Sequence, residues 1–411
     1  MDLFDKIAPL PAQHEQIAAM GRDPFGVCMD EVRSATEAII RGKKVILAGS
    51  NNYLGLTFDP ESISAAQNAL ARQGTGTTGS RIANGTYANH RELETELASF
   101  FGCKSTLVFP TGYQANLGMI SALAGPGDYI LMDAHCHACI YDGCRMSGAT
   151  VIRFRHNSPA DLDKRLQRLK RSDSNKLIIV EGLYSMLGDI APLAEFAEVK
   201  RKHNAYLYVD EAHSVGIYGQ SGQGVVEQAG VSADVDFIVG TFSKSLGSMG
   251  GFCASNHPKF DYLRLASRPY MFTASLSPSV VASVLTALRR IRREPELRDS
   301  LWRNVHAFYD RLAAIDLTLA AAPSPVIAVM LPQREEAVLA WNRILDAGVY
   351  VNLAIPPGTP DTSSLLRCSV SAAHSQDQIE TICGAFEYVA ESIREYNARG
   401  SNPRTASHVG D

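Results

Sequence analysis

The sequence predicts an α/β fold organised around a mostly parallel sheet flanked by helices, and three observations carry that expectation. From about residue 104 to 256 short runs rich in Val, Ile, Leu and Tyr alternate with stretches of helical periodicity. Those runs show little polar alternation, which is the pattern of strands buried on both faces. The 411-residue chain is 45% apolar and 20% charged, so it has the composition of a globular protein and enough length for a sizeable core. Strand followed by helix, repeated, builds a parallel sheet covered on both sides.

The candidate strands of this central region are 105–109, 129–132, 150–155, 176–180, 205–209, 236–239 and 251–254. Between them lie helical stretches such as 160–169, where Leu162, Leu166 and Leu169 fall on one face. The flanks read differently. Residues 1–58 form an N-terminal arm, with an amphipathic helix near 10–20 and a β segment at 44–48. After Leu276 a long helical region runs to about residue 315 and carries the basic knot Arg289-Arg290-Ile291-Arg292-Arg293, read as a solvated helix face. Strands at 326–331, 349–353 and 365–370 and a closing helix from Gln376 complete a small α+β domain. The expected division is therefore an arm at 1–58, a large domain at 59–285, a small C-terminal domain at 286–398 and a flexible tail at 399–411.

Composition removes several function classes. With 39 Lys and Arg against 43 Asp and Glu, the net charge of −4 lacks the positive field that nucleic-acid binding needs. The opening Met1-Asp2-Leu3-Phe4-Asp5 is too acidic for an export signal, which points to a cytoplasmic protein. The uncharged run 269–288 reaches membrane-spanning length, but Pro269, Pro278 and its many Ser and Thr residues make insertion costly, so no transmembrane segment is expected. Eight cysteines include the CxxC of Cys136-His137-Ala138-Cys139, yet no second pair stands at zinc-site spacing; buried thiols and no metal are the expectation. Gly74-Thr75-Gly76-Thr77-Thr78-Gly79 fits GxGxxG by letter, but an Ala-rich helical stretch precedes it where a dinucleotide fold needs a strand.

In a parallel sheet, ligands bind at the carboxyl ends of the strands. There the sequence places Asp210 and His213 after one strand, Thr241, Ser243 and Lys244 after another, Gly112 and Tyr113 after a third, and His137 after a fourth. A carboxylate able to pair with a ring nitrogen, an imine-forming lysine and a glycine turn opening a helix toward a phosphate together suit pyridoxal 5'-phosphate (PLP). A histidine from the neighbouring strand end could stack on the ring, and the Thr241 and Ser243 hydroxyls could share the phosphate.

These residues stand in longer matching stretches: Asn52-Tyr53-Leu54-Gly55, Gly79-Ser80-Arg81, Asn84-Gly85-Thr86, Thr111-Gly112-Tyr113-Gln114-Ala115-Asn116 and Glu181-Gly182-Leu183-Tyr184-Ser185-Met186. Further along come Val209-Asp210-Glu211-Ala212-His213-Ser214, Thr241-Phe242-Ser243-Lys244-Ser245 and Leu365-Leu366-Arg367-Cys368-Ser369. With them, from about residue 25 to 395, the chain resembles the α-oxoamine synthases, fold-type I PLP enzymes that join an amino acid to an acyl thioester with loss of CO2. The stretches 141–144, 154–158 and 268–275 look most like the bacterial soluble serine palmitoyltransferases.

The resemblance implies a fold-type I architecture, a seven-stranded sheet plus a smaller C-terminal α+β domain, and a homodimer with shared active sites. It implies Lys244 as the lysine that holds PLP and later takes the Cα proton. Asp210 would face the ring nitrogen, His213 the ring's phenolic oxygen with Ser185 nearby, and His137 the ring face and the substrate carboxylate. Gly112, Tyr113, Thr241 and Ser243 would bind the phosphate, with Thr273 arriving from a second subunit. Arg367 would bind the substrate carboxylate, and Asn52 and Tyr53 would line the substrate side. The implied substrates are L-serine and palmitoyl-CoA, giving 3-ketodihydrosphingosine, the first step of sphingolipid synthesis. Alanine or glycine with another acyl thioester, on CoA or on an acyl carrier protein, is the nearest alternative, and a non-catalytic partner subunit is the alternative from another class. A long acyl chain is also compatible with peripheral membrane contact. One residue departs from the pattern: Ile355, in the segment 352–360, stands where the bacterial enzymes commonly carry an arginine. Either Arg367 and His137 then suffice for the carboxylate, or the substrate pairing differs.

Overall fold

The computed structural model describes residues 2–169, 174–315, 317–356, 358–359 and 363–400. In chain order the elements begin with α1 (Pro9–Ala18), β1 (Glu31–Val32), β2 (Glu37–Ile40), β3 (Lys43–Leu47), α2 (Pro60–Gln73) and α3 (Ala88–Phe101). The central run is β4 (Ser105–Phe109), α4 (Gly112–Leu123), β5 (Tyr129–Asp133), α5 (Ala138–Ser147), β6 (Thr150–Phe154), α6 (Pro159–Gln167), β7 (Lys176–Glu181), α7 (Leu193–Lys202), β8 (Tyr206–Asp210), α8 (Val225–Gln228), β9 (Phe237–Thr241) and β10 (Gly251–Ser255). It continues through α9 (Arg268–Met271), α10 (Pro278–Arg293), α11 (Glu296–Ala314), β11 (Val326–Leu331), α12 (Arg334–Asp346), β12 (Val349–Tyr350), β13 (Asn352–Ala354), β14 (Ser364–Ser369) and α13 (Gln376–Gly400). Of the expected tail at 399–411, residues 401–411 lie outside the described residues, as do Pro357 and Pro360 of the segment 352–360.

The chain divides into two compact units. The larger comprises residues 51–185 and 189–300 and holds a seven-stranded sheet in the order β4-β10-β9-β8-β7-β5-β6. All seven expected strands are present, with ends displaced by a residue or two. The pairs β5–β6, β5–β7, β7–β8 and β8–β9 are parallel. β10 departs from the expected parallel run: it is antiparallel to both β4 and β9. A short return after β9 leaves no room for the crossover helix that a parallel neighbour requires, so the chain comes straight back between β9 and β4.

That reversal organises the end of the sheet where ligands bind. Gly251, the first residue of β10, is in register with both Phe109 at the end of β4 and Thr241 at the end of β9. Glu181 pairs with Asp210, and Asp210 with Val239, so β7 and β8 end level and β9 runs two residues further to Thr241. The apolar faces of α4 and α5 seal this part of the sheet, with Met119, Ile120, Ile140 and Cys144 packed against Leu107, Ile130, Met132, Ile179 and Val239. The cysteines of the CxxC are buried in this cluster. The uncharged run at 269–288 is broken by a loop between α9 and α10, and among the described residues no helix is long and apolar enough to cross a membrane. The expected continuous helix to residue 315 is two helices, α10 and α11, separated at Pro295, whose ring cannot sit inside a helix.

The second unit comprises the described residues of 2–50, 186–188 and 301–400. Within it β12 joins β3 in parallel at the edge of β1-β2-β3, and β11, β14 and β13 form an antiparallel sheet. Trp341 of α12 is buried and its indole N–H donates to Val351 O at 2.9 Å. Arg367, on β14, stands opposite Ala328 and Asn352. Ile355 is buried among Ile17 and Val338, with Met20 and Leu353 against them. The residue that departs from the bacterial pattern is thus an apolar anchor. Truncation by Ile355→Ala should cost about 2–4 kcal/mol, the usual range for a buried isoleucine. Ile355→Arg should cost at least as much, because the guanidinium would sit among aliphatic side chains. Denaturant midpoints of the two variants check both expectations.

Candidate active site

A cavity of about 270 Å³ opens at the carboxyl ends of the strands of the larger unit. Its lining includes Gly112, Tyr113, His137, Asp210, His213, Thr241, Ser243 and Lys244, so eight of the residues singled out from sequence meet in one place. Asn116, Cys139, Glu181, Ala212, Gly240, Met249 and Gly250 complete it with Thr111.

Asp210 ends β8 and is buried. Its Oδ2 accepts from Asn116 Nδ2 at 2.7 Å, and its Oδ1 accepts from the main-chain N–H of Ala212 at 2.8 Å. Asn116 is held in turn, since Tyr208 Oη donates to its Oδ1 at 2.8 Å. Two donors and a buried setting keep this carboxylate in one orientation. His213 sits in the turn after β8, and its Nδ1 is 2.7 Å from the hydroxyl of buried Tyr53.

His137 precedes α5 and caps it: Nδ1 accepts from Cys139 N–H at 3.2 Å, which places the ring proton on Nε2. Burial, the largest influence, holds the imidazole below its usual pKa, with Asp210 pulling the other way and Lys244 reinforcing burial. Tyr113 stands edge-on to the His137 ring, the centroids 6.4 Å apart, and its hydroxyl donates to Asp142. The main-chain N–H of His137 donates to the carboxyl of Glu181, which ends β7.

The residues fit PLP on the geometry of the chain itself. Thr111 caps α4 by accepting from Gln114 N–H, leaving the earlier amides of Gly112 and Tyr113 for an anion at the helix N-terminus. A Cβ on Gly112 would lie 2.8 Å from Thr241 Cβ, and one on Gly251 would lie 2.5 Å from Gly112 Cα. Only glycines let β10 and α4 approach this closely, and the result is a cradle edged by the hydroxyls of Thr241 and Ser243, 2.8 Å apart. Thr241 donates to Gly250 O at 2.9 Å, so Ser243 is the donor within the pair, and a phosphate would have to draw that proton away from Thr241. Asp210 and Lys244 line the same cavity, a carboxylate and an amine of the kinds that a pyridine nitrogen and an aldehyde would require.

Beside the cavity a second set of charges braces the His137 turn. Asp133 ends β5 and is fully buried. It accepts from His135 N–H and Asn157 N–H, each at 2.8 Å, and contacts His156 Nδ1 at 2.8 Å. His156 Nε2 reaches Asp189 Oδ2 at 2.7 Å, the His135 ring stacks on it at 3.9 Å, and Tyr184 meets it edge-on at 4.5 Å. Burial opposes its charge, but the two carboxylates overcome that and raise His156 to about 9.

The other expected site residues lie outside the cavity lining. Asn52 donates to Thr57 Oγ1 at 2.7 Å, and Tyr53 is present only through its bond to His213. Ser185 closes the turn after β7. Thr273 lies in a smaller cavity with Arg81 and Ser275, 3.5 Å from Gln114 Nε2. Arg367 belongs to the other unit. Sequence reasoning gave no role to Asn116 or Glu181. Asn116 was detectable as a polar residue one turn after Gly112 on a helix face otherwise made of Ala115, Met119 and Ile120. Glu181 closes an apolar strand, and nothing in its immediate sequence separates a buried acid from an exposed one.

The family model for class I and II aminotransferases matches residues 43–386. The serine palmitoyltransferase of Caulobacter vibrioides is 54% identical over 393 residues, covering 96% of this chain and 97% of that protein. The serine palmitoyltransferase of Sphingomonas paucimobilis is 50% identical over 395 residues, covering 95% and 94%. A solved structure of the S. paucimobilis enzyme with a bound PLP–myriocin aldimine superposes with a TM-score of 0.94 at 49% identity, covering 96% of this chain and 100% of that one.

Two outcomes follow from the geometry. Gly112→Ala should weaken PLP binding by about tenfold or more, because the added methyl displaces Thr241 and the helix N-terminus together; equilibrium titration with PLP measures it. His156 contributes stability that is fully present below its unfolded pKa of about 6.5 and is lost as pH rises through about 9. The wild-type melting temperature should therefore fall between pH 7 and 10, and His156→Ala should make that fall shallower and remove about 2–3 kcal/mol at neutral pH.

Proposed function

Because the chain belongs to the class I and II aminotransferase family, and within it to the α-oxoamine synthases, we propose that it condenses L-serine with palmitoyl-CoA. The products are 3-ketodihydrosphingosine, CO2 and free CoA, which makes it an acyltransferase at the first step of sphingolipid synthesis. The observation that carries this reading is the convergence of Lys244, Asp210, His213 and His137 on one cavity beside the Gly112 cradle, in a chain at least half identical to two serine palmitoyltransferases.

PLP, when bound, supplies an electron sink for the carbon that loses its proton and later its carboxylate. Lys244 would hold the cofactor, and its freed amine would serve as the base for the Cα proton. Asp210, fixed by Asn116 and the Ala212 amide, keeps the ring nitrogen protonated, because an opposite charge at contact favours the charged form. His213, tied to Tyr53, presents its remaining nitrogen to the ring oxygen. His137 offers a flat face for stacking and the Nε2 proton for the substrate carboxylate. Arg367 contributes a planar fork for that carboxylate, and Ser185, Asn52 and Tyr53 stand behind these groups. With Ile355 in an apolar cluster, the carboxylate falls to Arg367 and His137.

The working form is a homodimer in the cytoplasm, with Thr273 of the partner subunit at each phosphate. This fits the position of Thr273 outside its own chain's cavity lining. Mass spectrometry of products from serine, alanine and glycine, each offered with acyl-CoA and acyl carrier protein donors, tests the assignment. Serine with palmitoyl-CoA should give the long-chain aminoketone; product from alanine or glycine alone would move the chain to another synthase of the family. Lys244→Ala should lower turnover by at least about 10³-fold.

A further inference from the structure

The cavity holds two carboxyl groups where the cofactor needs one. The parallel ladder places Glu181 at the end of β7 directly beside Asp210 at the end of β8, and both line the cavity. Their environments differ. Asp210 accepts two hydrogen bonds, from Asn116 Nδ2 and from Ala212 N–H. Glu181, 3% exposed, accepts one, from the main-chain N–H of His137. Two neighbouring buried carboxyl groups cannot both ionise without large cost, and the proton stays with the one whose anion has fewer donors.

We propose that Glu181 is a positioning residue that carries the proton of the Glu181–Asp210 pair, leaving Asp210 as the single anion for the ring nitrogen while its own carbonyl oxygen fixes the His137 main chain. The groups facing it agree with this. Asp210 from β8 and Asp133 from β5 are acidic neighbours, and Lys244 is the cation that acts against them. The thiols of Cys136 and Cys139 and the phenol of Tyr184 are held neutral, chiefly by burial. Burial first, and then Asp210, raise Glu181 to about 8. A second bare carboxylate one strand away would compete for the ring-nitrogen proton, and an unanchored His137 turn would lose the ring-stacking geometry.

Two substitutions separate charge from shape. Glu181→Gln keeps an oxygen for the His137 N–H and stays neutral at every pH, whereas Glu181→Ala removes the tether. The melting temperature of the full chain without PLP is measured from pH 5 to 9 for wild type and Glu181→Gln. A folded pKa above the unfolded value costs wild type stability only above pH about 4.5, increasingly up to about 8. The Gln variant should therefore gain on wild type as pH rises from 5 to 8 and hold that gain to 9. PLP titration should give a Kd within about threefold of wild type for Gln and about tenfold or more weaker for Ala. A pH-independent difference between wild type and Gln would overturn the proton assignment, and a Gln variant as weak for PLP as Ala would overturn the positioning role. Should Glu181→Gln not fold, a chain carrying Glu211→Gln, which removes the other raised buried carboxyl, decides the matter: an infrared carbonyl band of a protonated carboxylic acid at pH 7 that disappears by pH 9 supports the proposal, and its absence overturns it. The stability and infrared readouts need no cofactor, so they stand or fall separately from the assignment of PLP.

Discussion

Asp210 is the group about which the larger unit is arranged. A buried carboxylate is tolerated only where donors replace the water it has lost, and here one donor comes from α4 and the other from the turn after β8. Satisfying it links three elements. Asn116 can reach it only if α4 lies against the sheet, which the apolar contacts of Met119 and Ile120 secure. Tyr208, two residues before Asp210 on the same strand and therefore on the same face, holds Asn116 in place. The chain orients this buried carboxylate before any ligand arrives, so little reorganisation is left for the chemical step.

The neighbouring groups follow from that placement. Level strand ends put Glu181 beside Asp210, and Glu181 in turn fixes the main chain at His137. On the far side of His137, Asp133 and His156 brace the start of the same turn. A cavity-lining histidine is thereby held through its backbone from two directions, while its side chain is used to cap α5. Tyr53 does the equivalent for His213. Side chains that line the cavity are thus steered by buried polar groups through hydrogen bonds.

Much of this was legible in the sequence, for identifiable reasons. The strands were visible because burial on both faces leaves uninterrupted runs such as Leu177-Ile178-Ile179-Val180, and strand ends are where α/β proteins keep their ligands. Lys244, Asp210, His213 and His137 could therefore be found by position. The direction of β10 was not legible, because composition reports burial and not polarity of pairing. Neither was the role of Glu181, which depends on a neighbour 29 residues away that only strand register supplies. The His156 bracket was hidden for the same reason, one carboxylate coming from the end of β5 and the other from the loop after β7. Short strands such as β1 and β2 carry too few residues for a period to show.

The antiparallel return of β10 also bears on how the protein is assembled. Among the described residues β4 has no sheet neighbour except β10, so the strand that leads into α4 stays unpaired until the chain has been made as far as Gly251 to Ser255. Closing that loop is entropically slow compared with the local β5–β6 pairing. The cradle between Gly112 and Thr241 exists only once β10 has inserted between its two neighbours. Cofactor capture is therefore a late event in the life of the nascent chain, and a molecule that has acquired its cofactor has already completed the hardest step of its sheet.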